Sequence, residues 1–333
     1  MDSLTQIVLG AAVGEAVLGH KIGNKALLYG AIAGTIPDLD VAANYFTDKI
    51  TATEIHRGFS HSIFFSILMA PALGWLTSKL ERKQHLLWKP WAWLFFWGLF
   101  THPLLDAFTT WGTQLFWPLD TRIAINSIFV IDPLYTLPFL CCVMVVLFKK
   151  KGSLSRKKTN WLGIYLSTGY LLLTVILKYI TYQKFEAALQ EQQIAYTRIL
   201  TRPSAFNTIL WNANVETEDA YLLGEYSFFD TRPITFTRFK KQRNASEEIR
   251  QEKNVQRLIY IAQGWYLMEQ IEGVWFFYDL RFGLMPINET EEVFVFAYEL
   301  TQRDGEFTAK ENRKTPESAQ FLLNKLWGRL KGN

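Results

Sequence analysis

The residues best suited to chemistry are acids and histidines spread through the apolar first part of the chain: Asp38, Asp40, His56, His61, His102, Asp106 and Asp132. Imidazole and carboxylate are the usual nitrogen and oxygen ligands of zinc, and of manganese or iron as well. His102-x-x-x-Asp106 places one of each a helical turn apart on one face, so both can touch a single ion. His56-Arg57-Gly58-Phe59-Ser60-His61 offers two further imidazoles about a flexible glycine, and Asp38-Leu39-Asp40 offers two carboxylates after Pro37. The set reads as a divalent-metal site with His102, Asp106, Asp40 and His61 as ligands and His56 next. Asp38 is cast as the general base or a ligand to a second ion, and Arg57 as a bidentate clamp for an anionic headgroup.

Plainer roles compete with these. Asp132-Pro133 fits a helix N-cap followed by proline at the first helical position, which ranks above ligation. One of Asp38 and Asp40 could equally cap a helix, His61 could sit at a helix start near the membrane interface, and Arg57 could anchor there. Glu15 would pair with Lys21 or Lys25, or bond between helices. His20 and His85 fall in basic loops away from the cluster.

Membrane segments would have to position these residues. Apolar runs long enough to cross about 30 Å of hydrocarbon occupy residues 4–19, 61–77, 91–108, 128–148 and 161–179, and a sixth, 26–36, is short and broken by Pro37. The pattern predicts five or six membrane segments. Gly10-x-x-x-Gly14 and Gly30-x-x-x-Gly34 predict that the first two pack as a tight hairpin. Loops 20–25, 78–90 and 149–160 hold twelve Lys and Arg, whereas loops 37–60 and 109–127 hold only Lys49, Arg57 and Arg122. The positive-inside bias turns the basic loops to the cytoplasm. The N-terminus and everything after residue 180 then lie on the far side, and all seven acids and histidines arrive at that face, although the orientation used only Lys and Arg. The first residues lack the basic stretch of a cleavable signal, so the first segment is expected to stay. Trp88, Trp91, Trp93 and Trp97 near one boundary and Trp111 and Trp117 near the other read as interfacial belts.

With 49% hydrophobic, 15% aromatic and 20% charged residues among 333, the chain is no disordered segment and fits an ordinary soluble domain poorly. A mean hydropathy close to zero averages two unlike parts. Residues 1–180 carry 16 Lys+Arg against 10 Asp+Glu, and residues 181–333 carry 19 against 21. The basic excess sits between apolar runs, a membrane pattern rather than a nucleic-acid footprint. Cys141 and Cys142 are adjacent and lack partners at zinc-finger spacing. Beyond residue 180 the apolar runs shorten. Strand-like runs lie at 208–215, 221–228, 265–269, 274–280 and 293–300, and helical spacing at 247–262 and 317–330. The expectation is an α-helical polytopic membrane domain over residues 1–180, followed by a soluble, extracytoplasmic α+β domain over 181–333.

The strings MDSLTQIVLGAAVGEAVLG, AGTIPDLD, HRGFSHS, HPLLDAFTTWGTQL and SIFVIDPLYTLP, in that order, resemble the YdjM-like family of bacterial inner-membrane proteins, held to be metal-dependent hydrolases. The resemblance covers roughly residues 1–180, and Asp279-Leu280-Arg281-Phe282-Gly283 is similar to a stretch in long members. Many relatives have histidine where this chain has Gln6, so a site using that position would be weakened or emptied here. A weaker likeness, to zinc-dependent phospholipase C and related nucleases, maps onto Asp40 or Asp38, His56 or His61, His102 and Asp106, and implies phosphoester hydrolysis. These resemblances imply a multi-pass enzyme of the bacterial inner (cytoplasmic) membrane that holds zinc, or else manganese or iron. Its expected substrate is a lipid or lipid-linked phosphoester reached laterally from the bilayer at the outer face, with no nucleic-acid partner. The rival is a non-catalytic envelope scaffold with a structural metal and an outer interaction domain. A transporter ranks third, since the candidate carboxylates other than Glu15 gather at one face.

Overall fold

The computed structural model describes residues 1–241, 247–303 and 306–333. They form two compact units. The first comprises Met1–Ala43, Ile55–Leu177 and Ala205–Asn207, and the second Asn44–Glu54, Lys178–Ser204 and Thr208–Asn333.

Seven helices come first: α1 (Ser3–Ile22), α2 (Asn24–Thr35), α3 (Lys49–Ile55), α4 (Ile63–Leu80), α5 (Trp88–Asp106), α6 (Pro133–Leu147) and α7 (Leu154–Glu191). Asp2 starts α1 by accepting from the Thr5 N–H, and the chain leaves it at Gly23. As the glycine spacing predicts, α1 and α2 touch backbone to backbone. A Cβ on Gly10 would strike the Gly30 carbonyl, and one on Gly14 the carbonyl of Ala26. α1 is central and packs on α2, α5 and α6. Its buried Glu15 pairs with neither Lys21 nor Lys25 but with Arg156 of α7, through Nε to Oε1 at 2.7 Å and Nη2 to Oε2 at 2.6 Å. Lys25 turns instead to Glu81, 2.5 Å away. Asp132 caps α6, accepting from Leu134 N at 2.9 Å and Tyr135 N at 3.2 Å. Trp91 belongs to no interfacial belt: it is fully buried, edge-on to Tyr29 with centroids 5.1 Å apart.

The count of five or six membrane segments is not supported. Among the described residues two helices, α4 and α7, are long and apolar enough to cross a membrane, and a third span arises if α2 is joined to the 3-10 turn Pro37–Tyr45 across a 46° bend. The sequence runs overcount for identifiable reasons. α1 is diluted by Gln6, Glu15, His20 and Lys21. α6 has 15 residues, or about 22 Å of rise, because residues 128–132 of its apolar run are not helical.

The second unit is sheet-rich. Strands β1 (Arg198–Pro203), β2 (Leu210–Glu216), β3 (Ala220–Ser227) and β4 (Phe236–Lys240) form one antiparallel meander. Strands β5 (Tyr266–Ile271), β6 (Val274–Pro286), β7 (Glu292–Arg303) and β8 (Glu306–Glu311) form another. Between the strand groups lie α8 (Glu247–Gln251) and α9 (Lys253–Ile261), and α10 (Ala319–Leu330) follows. Tyr221, Trp265, Leu267, Leu280 and Phe294 form a core shared by the sheets. Asn44–Glu54 joins this unit through Arg257, which holds Glu54 at 2.6 Å.

Candidate metal centre

Three breaks in regular structure bring the site together. α2 stops at Thr35, and the chain bends into the 3-10 turn that carries Asp38 and Asp40. Arg57 takes a left-handed φ of +61°, which a non-glycine residue rarely adopts, and the tight turn after it delivers His61 at the end of a second 3-10 turn, Phe59–His61. His102 and Asp106 share the last turn of α5.

His61 Nε2 and His102 Nε2 lie 3.1 Å apart. Asp38 Oδ1 is 3.3 Å from each of them, and Asp106 Oδ2 is 3.5 Å from each. All four ligand atoms fall within 4.8 Å of one another, so Asp38, His61, His102 and Asp106 could hold a metal ion. The side chains of His61, His102 and Asp106 are fully buried, while Asp38 is 23% exposed.

The outer contacts of the two imidazoles fix where their hydrogens sit. His102 Nδ1 lies 2.6 Å from the Gly34 carbonyl, which only accepts, so Nδ1 is the donor and Nε2 a bare lone pair. His61 Nδ1 lies 3.2 Å from Asp40 Oδ2 and 3.0 Å from Ser60 Oγ, whose own hydrogen goes to Asp40. It too must donate. With both rings neutral, two nitrogen lone pairs face each other and two carboxylate oxygens in a buried space, a repulsion that a cation among them, or a proton on one ring, relieves. Asp106 uses its two oxygens differently: Oδ1 is held by the Met1 amino group and by Gln6 Nε2 at 3.0 Å, whereas buried Oδ2 accepts no hydrogen bond among the described residues and has the Arg57 guanidinium beside it. The residues present therefore fit a divalent cation.

The remaining candidates lie around this group. Asp40 accepts from His56 Nδ1, the Arg57 N–H and Ser60 Oγ, each at 2.9 Å, which sets Asp40 and His56 one layer behind His61. Arg57 is 3% exposed. Its Nε is 3.3 Å from Asp106 Oδ2, and its Nη1 donates to Thr109 Oγ1 at 2.7 Å. Asp132 stays with its cap and with Tyr170, whose hydroxyl donates to Oδ2 at 3.0 Å. His20 and His85 are exposed. Sequence reasoning overlooks Ser60, Thr109 and the Gly34 carbonyl as supports. Ser60 lies between the two histidines of its motif, and Gly34 is in the last turn of a helix, where carbonyls lack intrahelical partners, but nothing signals Thr109.

Apolar helices of membrane-crossing length, together with a buried cluster of two histidines and two aspartates, define a membrane protein with a possible metal-binding site. The family model of the YdjM inner membrane protein matches residues 1–185, and the chain belongs to that family. The match ends within α7, so it covers α1–α6, most of α7 and none of the strands. Neither a curated protein nor a solved structure matches the chain significantly.

Proposed function

We propose that the chain is a membrane-bound metal-dependent hydrolase acting on a phosphoester of a lipid or lipid-linked substrate at the outer face of the bacterial inner membrane. The observation that carries this reading is the convergence of four lone-pair atoms from three buried side chains and one open to the surface. His61, His102 and Asp106 would hold the cation, zinc first and manganese or iron next. Three protein ligands with an open fourth position are the pattern of catalytic rather than structural sites. A bound cation would supply Lewis-acid polarisation of the scissile bond.

The rest falls to the chain itself. Asp38, at the mouth, takes the proton of the attacking water. Asp40 and the Gly34 carbonyl hold the Nδ1 hydrogens of His61 and His102, keeping both Nε2 atoms aimed inward. Arg57 orients Asp106 and offsets its charge, and His56 steadies Asp40. In the same reading the chain is multi-pass and residues 181–333 lie outside the cytoplasm, supported by twelve basic residues in one set of loops against three in the other.

Elemental analysis of the full chain purified in detergent, with phosphate or headgroup release from phospholipids and polyprenyl phosphates, tests this. Asp106→Asn should lose the metal. Asp38→Asn should keep it while activity falls by about 10²–10⁴-fold, the usual share of general acid–base catalysis. Metal retained at full occupancy in Asp106→Asn refutes the ligand set. Metal lost in Asp38→Asn, with no turnover by the parent chain, leaves the scaffold with a structural metal instead.

A further inference from the structure

Arg202, on the edge strand β1, is a buried charge that the metal centre does not use. It is 7% exposed, and its Nε has no hydrogen-bond partner among the described residues. The field of two acids reaches it: Asp279 is held by another arginine, and Glu225 is shared with Arg329, which itself donates to Asp230 at 2.6 Å and 2.7 Å. Arg281 donates to Asp279 from Nε at 3.0 Å and from Nη2 at 2.6 Å, and Arg329 lies 3.3 Å from Glu225. A guanidinium cannot escape burial by shedding its proton as a lysine can. Burial pushes Arg202 down to about 10, still charged at neutral pH. A buried charge without a partner is destabilising, and such departures from local consistency are expected at functional sites.

Its surroundings on the two sheets offer it an amide and backbone. Asn212 stands opposite on β2, its amide turned to Ser204 Oγ at 2.6 Å. On the other sheet, the pairing of β6 with β7 is irregular between Asp279 and Leu284, and within that bulge Gly283 turns through a φ of +69°. A Cβ at Gly283 would strike Arg202 Nη2. The stretch Asp279-Leu280-Arg281-Phe282-Gly283 thus uses its acid on its own arginine and presents bare backbone to Arg202.

We propose that Arg202 anchors a binding site for an oxyanion of the phosphate class within the second unit, bounded by Asn212 and the Gly283 bulge. The planar fork of a guanidinium donates two parallel hydrogen bonds to such a group. The anion is either free or carried on a lipid headgroup. The site is independent of the metal centre.

The test titrates inorganic phosphate, by calorimetry, into the full chain reconstituted in phosphatidylcholine discs and stripped of metal by a chelator. Saturable binding is expected. It should persist in Asp106→Asn, and in Arg202→Gln it should weaken by about tenfold or more, with thermal stability unchanged or raised. Discs containing phosphatidylglycerol separate the two sources: phosphate affinity drops if the headgroup occupies the site and holds steady if the ligand is free. Absence of saturable binding by the parent chain overturns the proposal. So does parental affinity in Arg202→Gln, or a lowered melting temperature in that variant, which would mark Arg202 as a packing residue. Should Arg202→Gln fail to fold, Arg202→Lys decides, because it keeps the charge and loses the fork: weaker binding is expected, and parental affinity overturns the proposal.

Discussion

Asp40 and Asp38 show how finely a site depends on which way a side chain faces. Both stand in the 3-10 turn Pro37–Tyr45, where about three residues complete a turn, so positions two apart point to different sides. Asp38 meets the Nε2 atoms of both histidines, and Asp40 meets the back of His61. That the two histidines of HRGFSHS, the His-x-x-x-Asp pair and the PDLD turn gather is legible in the sequence. The division of labour between the two aspartates is not, because it depends on the pitch of a turn that residue types do not set. Asp40→Asn keeps the size of the side chain and removes the charge that holds His61 Nδ1–H. It is expected to weaken metal affinity by about 10–100-fold, the usual effect of altering such a support, with the fold retained. Competition with a chromophoric chelator measures this, and unchanged affinity would remove Asp40 from the support of His61.

Packing of elements was legible where it depends on small residues and hidden where it depends on distant partners. Gly-x-x-x-Gly, present in both segments, announces the α1–α2 hairpin from residue types alone. Gly30→Leu would drive a side chain into the backbone of α1 at Gly10 and Gly14, and should cost at least about 2 kcal/mol, read as a lowered melting temperature in detergent. Glu15 could not be matched from the sequence, since its partner Arg156 is 141 positions away and nearer lysines offered themselves. Glu15→Gln leaves that guanidinium buried without its counter-charge and should destabilise by about 3–5 kcal/mol. Replacing both residues by apolar ones of similar volume should restore most of the loss, and a double variant as unstable as the single would deny the pair its structural role. Strands show the same divide. The strand-like runs coincide with β2, β3, β5, β6 and β7, whereas β1, β4 and β8 are edge strands that carry Arg198 and Arg202, Arg238 and Lys240, and Lys310 and Glu311. Charge on an edge guards against pairing with other chains, and it erases the apolar pattern by which a strand is read.

For the whole molecule, composition alone separates an apolar, basic part from a mixed, mildly acidic one, and the structure has helices first and sheets after. Orientation rests on loop charge, and it has a direct test. A phosphatase reporter active only outside the cytoplasm, fused after Asn333, should be active, and one that works only in the cytoplasm should be silent; the reverse result would turn the chain over. The Glu15–Arg156 pair bears on how the chain is made. Its two members lie 141 residues apart, so at roughly 5–20 residues per second the carboxylate waits about 7–30 s in the nascent helices before its guanidinium is synthesised. A chain stopped at Leu147 keeps the acid and never receives the base. That fragment should be degraded quickly in cells, and Glu15→Leu in the same fragment should lengthen its half-life in a pulse-chase. A longer half-life in that variant would mark the ion pair as a completion signal, by which an unfinished copy betrays itself to the proteases that clear it.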